Sequence, residues 1–75
     1  MPRLPLLTAK ELASILYKMG FQLLRQEGSH AFFRHPDGRT TVVSFHSGEE
    51  IDRGLLNKIV KKDLRISREE FERFI

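Results

Sequence analysis

The segment Pro36-Asp37-Gly38 constrains this chain more than any other, because it sets the register in which the runs on either side pair. His30 to His35 reads as one strand and Arg39 to Phe45, rich in β-branched and aromatic residues, as the next. A two-residue turn at Asp37-Gly38 would put Pro36 in the first paired position, where its missing amide loses a ladder bond. A three-residue loop avoids this, with Pro36 and Asp37 in a type I turn and Gly38 left-handed. His35 then faces Arg39, Phe33 faces Thr41, Phe32 faces Val42, Ala31 faces Val43 and His30 faces Ser44. One sheet face carries Ala31, Phe33, Thr41, Val43 and Phe45, which suits burial. The other carries His30, Phe32, Arg34, Thr40, Val42, Ser44 and, just beyond, His46. His30 is thus expected to point away from the core, an orientation that a one-residue slip would reverse.

The flanking segments complete an α+β pattern. Thr8-Ala9-Lys10-Glu11 has the form of a capping box, and Leu12, Ile15, Leu16 and Met19 follow on one helical face before Gly20. Phe21 to Gln26 alternates weakly as a first strand, and Glu27-Gly28-Ser29 turns the chain. After a polar loop from His46 to Glu50, Asp52 caps a second helix. Leu55, Leu56, Ile59 and Val60 are its expected core residues, and Lys58, Lys61 and Lys62 lie towards its end, a charge order that suits the helix dipole. Ser67-Arg68-Glu69-Glu70 is a second capping box, opening a short helix with Phe71 and Phe74. The predicted order is α-β-β-β-α-α, with helices on one face of a three-stranded antiparallel sheet. Met1 to Leu7, with two prolines and no period, reads as a loose arm or a packed cap.

With 75 residues the chain has room for one domain, expected to span residues 1–75, and its core is small. It has no cysteine, so disulfides and thiolate–zinc sites are excluded. No apolar run approaches the ~20 residues of a membrane span, and no secretory leader is visible, so a soluble cytoplasmic protein is expected. Charge is unevenly placed. Residues 1–46 hold six basic and three acidic side chains with all three histidines, whereas residues 47–75 hold seven of each. The excess therefore sits with the hairpin and favours a polyanionic partner.

Several spaced motifs then agree in order with a known family. Gly20-Phe21, Arg25-Gln26-Glu27-Gly28-Ser29-His30, Phe33, His35-Pro36-Asp37-Gly38-Arg39, Val42-Val43, His46-Ser47-Gly48-Glu49, Gly54-Leu55-Leu56, Ile59 and Glu70-Phe71 together resemble the HicA (YcfA-like) toxins, from about Thr8 to Phe71. The resemblance implies a fold similar to double-stranded RNA-binding domains, ribonuclease activity on messenger RNA, and restraint by a HicB-type antitoxin. The family's catalytic histidine lies in its Gly-Ser-His motif and carries over to His30, with Gly28 and Ser29 as its positioning neighbours. One departure is Ser44, where the family usually has proline; proline there would stiffen the strand end, but its absence removes no chemical group.

The residues fit that chemistry in different degrees. In metal-independent RNA cleavage a base takes the 2′-hydroxyl proton and an acid protonates the leaving 5′-oxygen. An imidazole with an ordinary pKa of about 6.5 serves either role. His46 is a candidate second proton carrier, or else anchors the loop before the second helix. Arg25, Arg34 and Arg39 offer planar forks to phosphate, and Arg34, on the His30 face, is also a candidate to stabilise transition-state charge. Phe32 suits base stacking or a protein partner, and Lys58, Lys61 and Lys62 suit RNA contact or simple solvation. A zinc triad of His30, His35 and His46 fails, because His30 and His35 stand about 16 Å apart on opposite faces. No metal or cofactor is assigned. Two other readings stay open: a non-catalytic RNA-binding module, and a protein-interaction subunit of the same fold.

Overall fold

The computed structural model describes residues 4–46 and 48–75. Met1 to Arg3 of the expected arm, and Ser47 of the expected loop, lie outside the described residues.

Thr8 starts the first helix, α1 (Ala9–Met19), through a complete capping box. The Glu11 amide donates to Thr8 Oγ1 at 3.1 Å and the Thr8 amide to Glu11 Oε1 at 2.9 Å, satisfying two orphan donors. Gly20 ends the helix at φ +102°, its amide turned back to the Leu16 and Tyr17 carbonyls. The buried stripe is Ala9, Leu12, Ala13, Ile15 and Leu16.

Three strands follow: β1 (Gln22–Glu27), β2 (His30–Arg34) and β3 (Thr40–Ser44), antiparallel in that order. The β2–β3 register is the one Pro36 demands, from Arg34 opposite Thr40 to His30 opposite Ser44. The His35 amide bonds the Arg39 carbonyl at 2.8 Å and the Gly38 amide bonds the His35 carbonyl at 2.9 Å, with Gly38 at φ +99°. Ala31, Phe33, Thr41 and Val43 are buried as expected, and the alternate positions are exposed or half-buried.

β1 departs from a simple alternating strand. All six of its residues are exposed, and the ladder slips between Leu23 and Arg25, leaving Leu24 as an extra residue. The helices pack over β3 and leave this edge uncovered. Phe21, expected in the strand, instead precedes it as a buried core residue.

Asp52 caps α2 (Arg53–Lys58), accepting from the Leu55 amide at 3.2 Å. The helix then widens into a π-helix over Ile59–Leu64, an irregularity absent from the sequence expectation. Across this wider turn Asp63 reaches the buried Thr41, whose Oγ1 donates to its carboxylate at 2.9 Å. Arg65 closes the segment in the left-handed region at φ +57°. Leu56, Ile59 and Val60 are core, but Leu55 is not. It is half-exposed in a groove that it shares with Val42 of β3. The last helix, α3 (Arg68–Glu72), buries Phe71; Ser67 accepts from the Glu70 amide at 3.0 Å. Leu4 and Leu7 are buried, and the Arg53 guanidinium donates to the Leu4 carbonyl at 3.0 Å, so residues 4–7 form a packed cap.

The result is the expected α+β architecture, an open antiparallel sheet with helices on one side and the other side bare, which fits the double-stranded RNA-binding-domain-like order. No helix among the described residues is long and apolar enough to cross a membrane.

The hairpin tip carries a pH-dependent contact. The Arg39 amide donates to Asp37 Oδ1 at 3.1 Å and its Nε to Oδ2 at 2.8 Å. The Arg39 amide above all holds the Asp37 carboxyl below its ordinary value; burial opposes this, and the Arg39 guanidinium and His35 assist it. A depressed folded-state pKa stabilises the fold fully above the unfolded value of about 3.9 and is lost as pH falls through the folded value. The Tm gap between the protein and its Asp37→Asn variant should therefore narrow below about pH 4. A gap constant from neutral pH into acid would contradict this.

Candidate nucleic-acid interface

His30 is set by the turn that precedes it. Gly28 adopts φ +60° while Ser29 keeps negative φ, the pattern of a two-residue type II′ hairpin turn with glycine first. The Ser29 carbonyl then accepts from the Phe45 amide at 2.7 Å, which ties the turn to the chain leaving β3. Gly28 and Ser29 thus set the backbone from which His30 starts the second strand. The His30 side chain is exposed on the bare face, and none of the described residues hydrogen-bonds its ring.

Three rungs cross that face. Glu27, His30 and Ser44 form the first, Arg25, Phe32 and Val42 the second, and Gln22, Arg34 and Thr40 the third. In the second, the Arg25 guanidinium carbon lies 4.2 Å above the half-buried Phe32 ring, while Arg25 Nε pairs with Glu27 Oε2 at 2.6 Å. Arg34 is exposed on the same face but four residues from His30, about 13 Å along the strand. It can meet a phosphate farther along a bound chain but not the one at His30, so the expectation of transition-state stabilisation by Arg34 is dropped.

Arg39 is placed elsewhere. Its guanidinium turns to the helix side, pairs with Asp37, donates to the Leu64 carbonyl, and lies 5.4 Å from the Phe21 ring centroid. It holds the hairpin tip to the end of the π-helix, which replaces its expected role as a phosphate contact. His35 shares that side: its ring packs 5.1 Å from Phe21, Nε2 lies 3.2 Å from the Met19 carbonyl, and Nδ1 accepts from the Asp37 amide at 3.1 Å. His30 and His35 therefore occupy opposite faces.

His46 is exposed just past β3. It lines one hollow along the β3 edge with Ser44, Ile51 and Leu55, and another beside Ala9 and Lys10. Of the three lysines, Lys58 borders the groove between β3 and α2 with Thr40, Val42 and Leu55. Lys61 and Lys62 are exposed on the following π-helical segment.

Sequence reasoning missed Glu27. Expected as part of the turn, it proves to be the last residue of β1 and the direct neighbour of His30. The signal was present: a two-residue Gly28-Ser29 turn necessarily sets the residues on its two sides opposite one another.

Comparison with known proteins gives one family. A model described as HicA toxin of bacterial toxin-antitoxin matches residues 9–66, from the start of α1 to just past the π-helix, leaving α3 and its Glu70-Phe71 pair outside. A search of curated proteins found no match.

Proposed function

The chain belongs to the HicA family of bacterial toxins, which implies an antitoxin partner, and from that premise we propose that it is an mRNA-cleaving endoribonuclease. The observation that carries the reading is the placement of His30, open to solvent on a bare sheet face with no partner for its ring among the described residues. Arg25 and Arg34 on that face, and Lys58 beside it, supply cations for a flexible RNA segment, with Lys61 and Lys62 adding charge for a longer one.

In this reading the His30 imidazole accepts the proton of a ribose 2′-hydroxyl. That oxygen attacks the adjacent phosphorus, the bond to the 5′-oxygen breaks, and the leaving oxygen takes a proton from water or from His46. The products are a 2′,3′-cyclic phosphate and a free 5′-hydroxyl. Every group in this step belongs to the chain, the RNA or water, so cleavage proceeds in chelator. A HicB-type antitoxin restrains the toxin by covering the His30 face, where exposed Val42 and half-buried Phe32 give it apolar footing. The toxin acts in the cytoplasm, where its RNA is.

The test is RNA binding and cleavage with EDTA present across a salt series. Phosphate contact by Arg34 and Lys58, with Arg25 already paired to Glu27, predicts that the logarithm of affinity falls against the logarithm of salt with a slope of about −1.4, at about −0.7 per phosphate. Loss of cleavage in EDTA would replace the histidine mechanism by a metal-dependent one. A flat salt response would leave only a protein-docking role.

A further inference from the structure

We infer that Arg25, Phe32 and Glu27 form a nucleobase subsite selective for guanine next to the cleaved bond; this rests on the ribonuclease reading and specifies its substrate. Three observations meet there. The Arg25 guanidinium covers the Phe32 ring at 4.2 Å, so its outer side, more than half exposed, is a flat cationic platform above an aromatic. Unpaired RNA bases stack on such guanidinium surfaces. The same guanidinium holds Glu27 Oε2 at 2.6 Å, which fixes the carboxylate at the platform's edge. Glu27 also stands directly opposite His30, with Cβ atoms about 4.5–5.5 Å apart for such a pair.

A carboxylate only accepts hydrogen bonds, and one ion pair leaves most of its lone pairs free. Guanine is the RNA base that presents two adjacent donors on one edge, N1–H and the N2 amino group. Adenine and cytosine set an acceptor beside their amino group, and uracil sets its one donor between two carbonyls, so each brings a lone pair against Glu27. A guanine stacked on Arg25 and read by Glu27 has its ribose and phosphate beside His30. Because the site is exposed, discrimination is about tenfold, the low end for a bidentate contact to a base.

The experiment compares the dinucleotides GpU, IpU and ApU on the purified protein and on Glu27→Gln. Kd is read from amide shifts of Arg25, Glu27 and Phe32, and kcat/KM from product release. The protein should prefer GpU over ApU about tenfold, with IpU, which lacks the N2 amino group, in between. In Glu27→Gln, with unchanged circular dichroism, the preference should fall below about twofold, since a carboxamide presents one acceptor and one donor. A preference that survives in Glu27→Gln, or equal binding of all three dinucleotides to the unaltered protein, overturns the subsite. Cleavage without base preference also overturns the subsite but upholds the ribonuclease reading. Glu27-dependent guanine preference in binding without any cleavage does the reverse.

Discussion

Replacing His30 with alanine is expected to lower RNA cleavage by about 10²–10⁴, the usual worth of a positioned acid or base. RNA affinity should change little, because the cations proposed to meet phosphate, Arg34 and Lys58, stand away from His30, on another rung and beside the β3 edge. Stability should stay within about 0.5 kcal/mol, as for most exposed sites without structural partners. His30 fits that description: it is exposed, and no described residue bonds its ring. Growth arrest on expression without antitoxin should vanish along with cleavage. Cleavage that continues undiminished in a folded His30→Ala protein would remove the histidine from the mechanism.

Three residues along the same strand the expected outcome inverts. Phe33 is 2% exposed on the helix side of β2, with the Tyr17 ring edge-on at 5.6 Å. Cutting it to alanine costs about 3–5 kcal/mol in lost burial and cavity. At about 0.05–0.15 kcal/mol per residue, a domain of this size has only roughly 4–11 kcal/mol to lose. Phe33→Ala should therefore show a sharply lowered urea midpoint and, where the parent's stability lies at the low end of that range, unfold at 37 °C and lose activity through the fold. A variant retaining the parent's midpoint would show that the core tolerates a void there. Together the two substitutions separate the working face of β2 from its structural face.

That separation was legible in the sequence, because one proline removes the competing turn and the side-chain period of two does the rest. The capping box at Thr8 and the glycine stop at Gly20 were legible for the same reason, since the required side-chain chemistry is local. β1 was only partly readable. A bulge at Leu24 breaks its period, and being uncovered at the sheet edge it has no buried face to show. Leu55 misled because helical spacing says which side of a helix is apolar but not how much of that side its neighbours cover. Arg39 is a different case. The register that buried Phe33 and Thr41 also turned His35 and Arg39 to the helix side, so its structural role followed from the strand pairing itself. The π-helical widening at 59–64 is met by Thr41 and Arg39 reaching across from the hairpin to Asp63 and Leu64, long-range contacts that no local pattern encodes.

The most direct test is the chemical form of the cleaved ends. Purified protein and its His30→Ala variant, each incubated with single-stranded RNA in EDTA, would be followed by ³¹P NMR and by end-specific ligation. The account predicts 2′,3′-cyclic phosphate and 5′-hydroxyl termini from the unaltered protein and almost none from the variant. Linear 5′-phosphate ends, or equal cleavage by both proteins, would contradict it.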